Sequence, residues 1–124
     1  MILSEDDMGM GDYHIRGYEP GAIHINHDVY TKSLIISPFR LILDWPPQSL
    51  AELKDDHFDP LLALSPDIVL LGTGLRCTLP PARQLAPLYQ KQLGVESMDT
   101  GAACRTYMAL MSEGRKVVAA LLIR

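Results

Sequence analysis

Basic residues are scarce: 11 Lys and Arg stand against 15 Asp and Glu, for a formal charge of −4 at pH 7. The single adjacent basic pair is Arg115-Lys116. Nucleic acid and anionic membrane surfaces are held by clustered cations, so neither is expected as a partner. Cysteine is nearly absent too. Cys77 and Cys104 allow one bridge at most and no disulfide framework, so a reducing cytoplasm is the expected compartment. Long apolar runs are also missing. The longest, VVAALLI (117–123), falls far short of the about 20 residues that span a membrane. The opening MILSEDD turns acidic where a secretory signal needs a basic start and a longer apolar stretch, and no export signal is expected. There is no repeat, low-complexity tract or long linker.

What remains is a chain of 124 residues, 48% hydrophobic and 21% charged, the composition of a folded domain. A single domain over 1–124 is expected, with residues 1–12 as a flexible N-terminal tail. Before Trp45 the sequence reads as short strands, YHIRGY (13–18), GAIHI (21–25), SLIIS (33–37) and FRLILDW (39–45), divided by turn residues. An antiparallel meander follows from that spacing. In the last of these strands Phe39, Leu41 and Leu43 define one apolar face.

After Trp45 strands alternate with helices. Ser49 is expected to cap a short helix, and Asp59-Pro60 to start another. DIVLL (67–71) reads as a strand covered on both faces. The stretch from Pro80 to Gly94 is helical in pattern but contains Pro87, so it should be kinked or split in two. VESM (95–98) is a strand, Asp99 or Thr100 caps a helix ended by Gly114, and KVVAALLI (116–123) belongs near the sheet centre.

If 67–71 and 95–98 run parallel, Gly72-Thr73-Gly74 and Asp99-Thr100-Gly101 leave the same carboxyl edge, where open α/β sheets bind ligands. Free N–H groups of Gly101, Ala102 and Ala103 would face an anion there, with charge from Arg76 and Arg105. The competing reading is that the glycines permit tight turns and the alanines permit close packing. Cys104 near a helix start is a nucleophile type, but it lies one turn in, beside Tyr107, Met108 and Met111, where a thiol is a small buried hydrophobe. HINHD (24–28) holds metal-ligand types without a standard spacing and reads as a solvated hairpin. No Gly-x-Ser-x-Gly elbow occurs. No catalytic residue, metal or cofactor is expected.

SLIISP (33–38), SPDIVLLGTG (65–74) and above all DTGAACRTY (99–107) resemble a family of small domains of unknown function. It includes bacterial and archaeal stand-alone proteins, a mammalian adipogenesis-associated protein and a mitochondrial respiratory complex I assembly factor. The resemblance implies a three-layer α/β domain with a mixed central sheet, packed helices and an additional antiparallel β layer from the N-terminal half. A parallel last strand, which the pattern alone favours, would give way to that mixed sheet. The family brings no established catalytic residue. Met108 stands where relatives often have asparagine, and His27 where they often have glycine. The function implied is a cytoplasmic binding or assembly-type domain with an unknown protein partner. The alternative is a ligand-binding protein or enzyme using the edge at Gly72–Gly74 and Asp99–Arg105.

Overall fold

The computed structural model describes residues 11–123. Two sheets divide the strands. β1 (Ile15–Glu19), β2 (Ala22–Ile25) and β3 (Asp28–Tyr30) form an antiparallel sheet in that order. The second sheet has the order β5-β4-β8-β6-β7, from β4 (Leu34–Ile36), β5 (Leu41–Ile42), β6 (Ile68–Thr73), β7 (Gly94–Met98) and β8 (Val117–Leu122). β8 is its centre, antiparallel to β4 and parallel to β6, which is parallel in turn to β7. The parallel last strand and the mixed sheet are therefore both present: β8 is the seam where one direction gives way to the other.

The side chains of β8 explain its place. Val117, Ala119, Leu121 and Ile123 enter one apolar cluster, while Val118, Ala120 and Leu122 enter another, the two-residue alternation of a strand buried on both faces. The first cluster contains Ile15, Ile23 and Ile25 of the small sheet and Ala103, Cys104, Tyr107 and Met111 of the long helix. The second contains Trp45 from the segment after β5, and Phe58, Leu61, Leu85 and Leu88 from short helical pieces on the opposite face. The result is the expected mixed sheet with helices packed on it and an added antiparallel layer.

Those short pieces are a 3-10 turn over Leu50–Glu52, another over Asp55–Phe58 leading into α1 (Asp59–Leu62), and a third over Ala82–Leu85 leading into α2 (Ala86–Tyr89). The split expected around Pro87 is present. The only long helix among the described residues is α3 (Thr100–Ser112). It ends as expected at Gly114, whose φ of 77° lets its N–H reach Met111 O at 2.9 Å while Arg115 N–H reaches Leu110 O at 3.0 Å.

Several local expectations fail for local reasons. The strand expected over 39–45 shrinks to Leu41 and Ile42. Ser37 N–H donates to Arg40 O at 2.8 Å, so 37–40 form a turn, and Asp44 adopts φ 58°. Phe39 and Leu43 are consequently 58% and 45% exposed rather than lining an apolar face. β4 and β5 join the central sheet, not the meander, because Leu34, Ile35 and Ile36 are all buried and need cover on both sides. Ser49 makes no side-chain cap on the Leu50–Glu52 turn, and the helical piece expected from Asp59 begins earlier, at Asp55. Gln92, with φ 60°, and not Gly94, turns the chain after α2. Of the tail expected over 1–12, residues 1–10 lie outside the described residues, while Asp12 N–H donates to Pro38 O at 2.6 Å.

Candidate functional site

Because β6, β7 and β8 are parallel, Gly72-Thr73-Gly74, Asp99-Thr100 and Leu122 meet at one edge, as the spacing requires. Asp99 is the cap of α3: its Oδ1 accepts from Ala102 N–H at 2.8 Å, and its carbonyl accepts from Ala103 N–H at 2.9 Å. Two of the three N–H groups expected to be free at this edge are thus engaged by Asp99. Thr100 is fully buried. Its Oγ1 donates to Leu122 O at 2.5 Å and accepts from Gly74 N–H at 2.8 Å, and Thr100 N–H donates to Gly74 O at 2.9 Å.

The glycines have specific reasons. A Cβ on Gly72 would lie 2.9 Å from Thr100 Oγ1 and 2.9 Å from Leu121 Cδ2, so only glycine lets α3 start this close to β6. Gly74 takes φ 98° at the turn. Thr73 Oγ1 lies 2.6 Å from Arg76 O and accepts from Thr78 N–H at 3.1 Å, fixing the loop that leaves the edge. These hydrogen bonds occupy the polar groups of Thr100, Gly74 and Leu122, and a hollow of about 340 Å³ remains beside Thr73, Thr78 and Leu122.

Arg76 and Arg105 are both exposed. Arg105, Cys104 and Gly101 of α3 face Arg16, Gly17 and Tyr18 of β1 across a groove of about 440 Å³. The Tyr18 ring lies over Gly101, where an added Cβ would stand 3.1 Å from its Cδ2. The Tyr18 hydroxyl is buried with no hydrogen-bond partner among the described residues. Its pKa is raised, chiefly by burial and then by Cys104 and Asp99. Burial also pushes the Cys104 thiol up to about 12, with Arg105 opposing and Asp99 adding. Cys104 is therefore a buried thiol and not an activated nucleophile.

Met108, also in this groove, has its sulfur 3.2 Å from Ile15 N–H, for which it is a weak acceptor. Arg16 and Tyr18 escaped sequence reasoning. A bulge between Ile15 and Gly17 breaks the two-residue alternation of β1, and nothing local says that this strand meets α3.

The other sequence candidates separate. His24 pairs with Glu19 at 2.9 Å, and among the described residues no group of three metal-ligating side chains converges. Asn26 carries the left-handed geometry of the hairpin, with φ 53°, which is why His27 is tolerated there. Cys77 and Cys104 are both free thiols, the first exposed. Cys77 lies on the loop after Gly74, where Leu75 and Leu79 are 62% and 75% exposed.

A family profile described as "Protein of unknown function (DUF498/DUF598)" matches residues 15–122. The chain belongs to this family. The resemblance carried by DTGAACRTY is thereby borne out. A relative from Francisella tularensis subsp. holarctica, named "13 kDa major membrane protein", is 28% identical over 94% of this chain and 96% of its own length. The "NADH dehydrogenase [ubiquinone] 1 alpha subcomplex assembly factor 3" of Danio rerio is 32% identical over 87% of this chain, which spans 63% of that protein.

Among solved structures, a Bordetella parapertussis protein superposes with a TM-score of 0.85 at 36% identity, covering 92% of this chain and 98% of that one. A Bordetella pertussis protein described as an Mth938-like domain superposes at 0.80 with 28% identity, over 99% of this chain and 90% of that one. The DUF498 fold of this chain is the Mth938-like fold. No helix among the described residues is long and apolar enough to cross a membrane.

Proposed function

We propose that this DUF498 domain is a non-enzymatic, cytoplasmic protein-binding domain of assembly-factor type. One observation carries the reading. At the edge where an α/β sheet would take a small molecule, the Thr100 hydroxyl and the N–H groups of Ala102 and Ala103 are already engaged within the chain, while the loop leaving that edge exposes Leu75 and Leu79. Exposed apolar side chains beside an edge whose hydrogen-bonding groups are already engaged suit a protein partner better than a substrate. The assembly-factor name of the Danio rerio relative supports the same class. The exposed free thiol of Cys77 suits a reducing compartment.

The test is an affinity purification of the full chain beside a Leu75→Ser, Leu79→Ser double variant. A stoichiometric partner should be retained by the first and lost by the second, with unchanged melting temperature. A partner retained equally by both would remove this loop from the interface.

The buried, unpartnered Tyr18 hydroxyl favours a second reading, in which a small anion sits between Arg16 and Arg105. Under this reading the ligand lies beside the edge formed by Gly72, Thr73, Gly74, Asp99, Thr100 and Gly101, and Arg76 takes no part. Phosphate at about one hundred times its dissociation constant would add about 2.7 kcal/mol of stability. Arg105→Ala should abolish that gain. An equal shift with chloride at matched ionic strength would eliminate the reading.

A further inference from the structure

The opposite edge of the central sheet carries a different surface. There the turn at 37–40 approaches the end of α3, and an apolar groove of about 200 Å³ opens between them. Phe39, Leu64 and Pro66 give it apolar walls, and Arg40, Arg115 and Lys116 stand around it. The convergence is built by the backbone. The left-handed Gly114 delivers Arg115 and Lys116 to the groove, and the Ser37–Arg40 hydrogen bond delivers Arg40 from the other side.

A helix C-terminus attracts cations through its dipole, which accounts for Arg115. It does not account for Arg40, which belongs to another element. Arg115 approaches Glu113 only at 3.9 Å, and among the described residues neither Arg40 nor Lys116 has an ion pair. Three under-neutralised cations around one apolar hollow are unexpected in a chain of net charge −4. Phe39, more than half exposed, leaves apolar surface uncovered beside them.

We propose that this groove binds an acidic peptide segment of a partner protein, with one bulky aliphatic or aromatic side chain inserted against Phe39, Leu64 and Pro66. Carboxylates flanking that anchor face Arg40, Arg115 and Lys116. The volume admits a single large side chain rather than a helix face, and the charge selects for acidic neighbours. This surface is separate from the Leu75–Leu79 loop, so either can fail without the other.

The test uses the full chain and an eight-residue peptide of Asp and Glu around a central Leu, followed by amide NMR shifts. Saturable shifts confined to Phe39, Arg40, Lys116, Val117 and Val118 are expected. Affinity should fall by about tenfold in an Arg40→Glu, Lys116→Glu variant, whose spectrum also reports whether it is folded. It should fall similarly when the peptide acids become Asn and Gln, or its Leu becomes Ala. Equal binding of the neutral peptide, shifts centred elsewhere, or no binding would overturn the proposal. Shifts at these amides that grow with protein concentration in the absence of peptide would assign the groove to a second copy of the chain and overturn it as well.

Discussion

Replacing Thr100 with valine keeps the side-chain shape and removes its oxygen, so Gly74 N–H and Leu122 C=O both lose that partner in a buried site. The expected cost is about 1–3 kcal/mol in urea unfolding, with Thr100→Ser milder. Cys104 makes a second residue-scale prediction. Its thiol rises from an ordinary 9.0 to about 12 in the folded chain. Below pH 9 both states hold the proton; above it the unfolded chain releases the proton and the folded chain keeps it. Stability should therefore fall between pH 9 and about 12, by up to about 1.4 kcal/mol per pH unit. A Cys104→Ala protein should lose that part of the slope, leaving the contribution of Tyr107, which burial also raises and which sets in at higher pH, above its ordinary 10.0. At neutral pH a thiol reagent should modify Cys77 at once and Cys104 only on unfolding; two fast thiols would overturn the burial of Cys104. Asp99 and Cys104 were legible because helix capping and the inward stripe are local. The bridging role of Thr100 was not, since its partners lie 26 and 22 residues away.

Helix ends in this chain use the same device with different residues. After α3 the left-handed position is Gly114, which tolerates it; after α2 it is Gln92, which does so at a cost. Gln92→Gly should stabilise the fold by up to about 1 kcal/mol, and Gly114→Ala should destabilise it by about as much, both read from denaturation midpoints. A Gln92→Gly protein no more stable than the parent would mean that Gln92 is unstrained. Elements with a strong period or a strong breaker were readable: β6, β8, α3 and the division at Pro87. The strand over 39–45 was misread because alternation of Phe39, Leu41 and Leu43 cannot reveal a turn closed by Ser37 and Arg40 or the left-handed Asp44. β3 was hidden because a two-residue hairpin loop placed its first residue, Asp28, among apparent turn residues.

Across the whole molecule, the slowest amide exchange should map to β8 and β6, covered on both faces, and the fastest strand exchange to β3 and β5 at sheet margins. Uniform protection across all strands would contradict that hierarchy. The layers were legible in outline from periodicity and family resemblance. Which β1 side chains cover α3, and which cations meet at the far edge, depended on how the layers dock, and no local pattern encodes that. The seam at β8 also makes that strand a single point of failure. β4 and β6 are not neighbours, so the pair β5-β4 and the pair β6-β7 are hydrogen-bonded to one another only through β8. A displacement of β8 would therefore leave two separate strand pairs, each with a bare edge, and would uncover Leu34 to Ile36 and Ile68 to Leu71 in the same event.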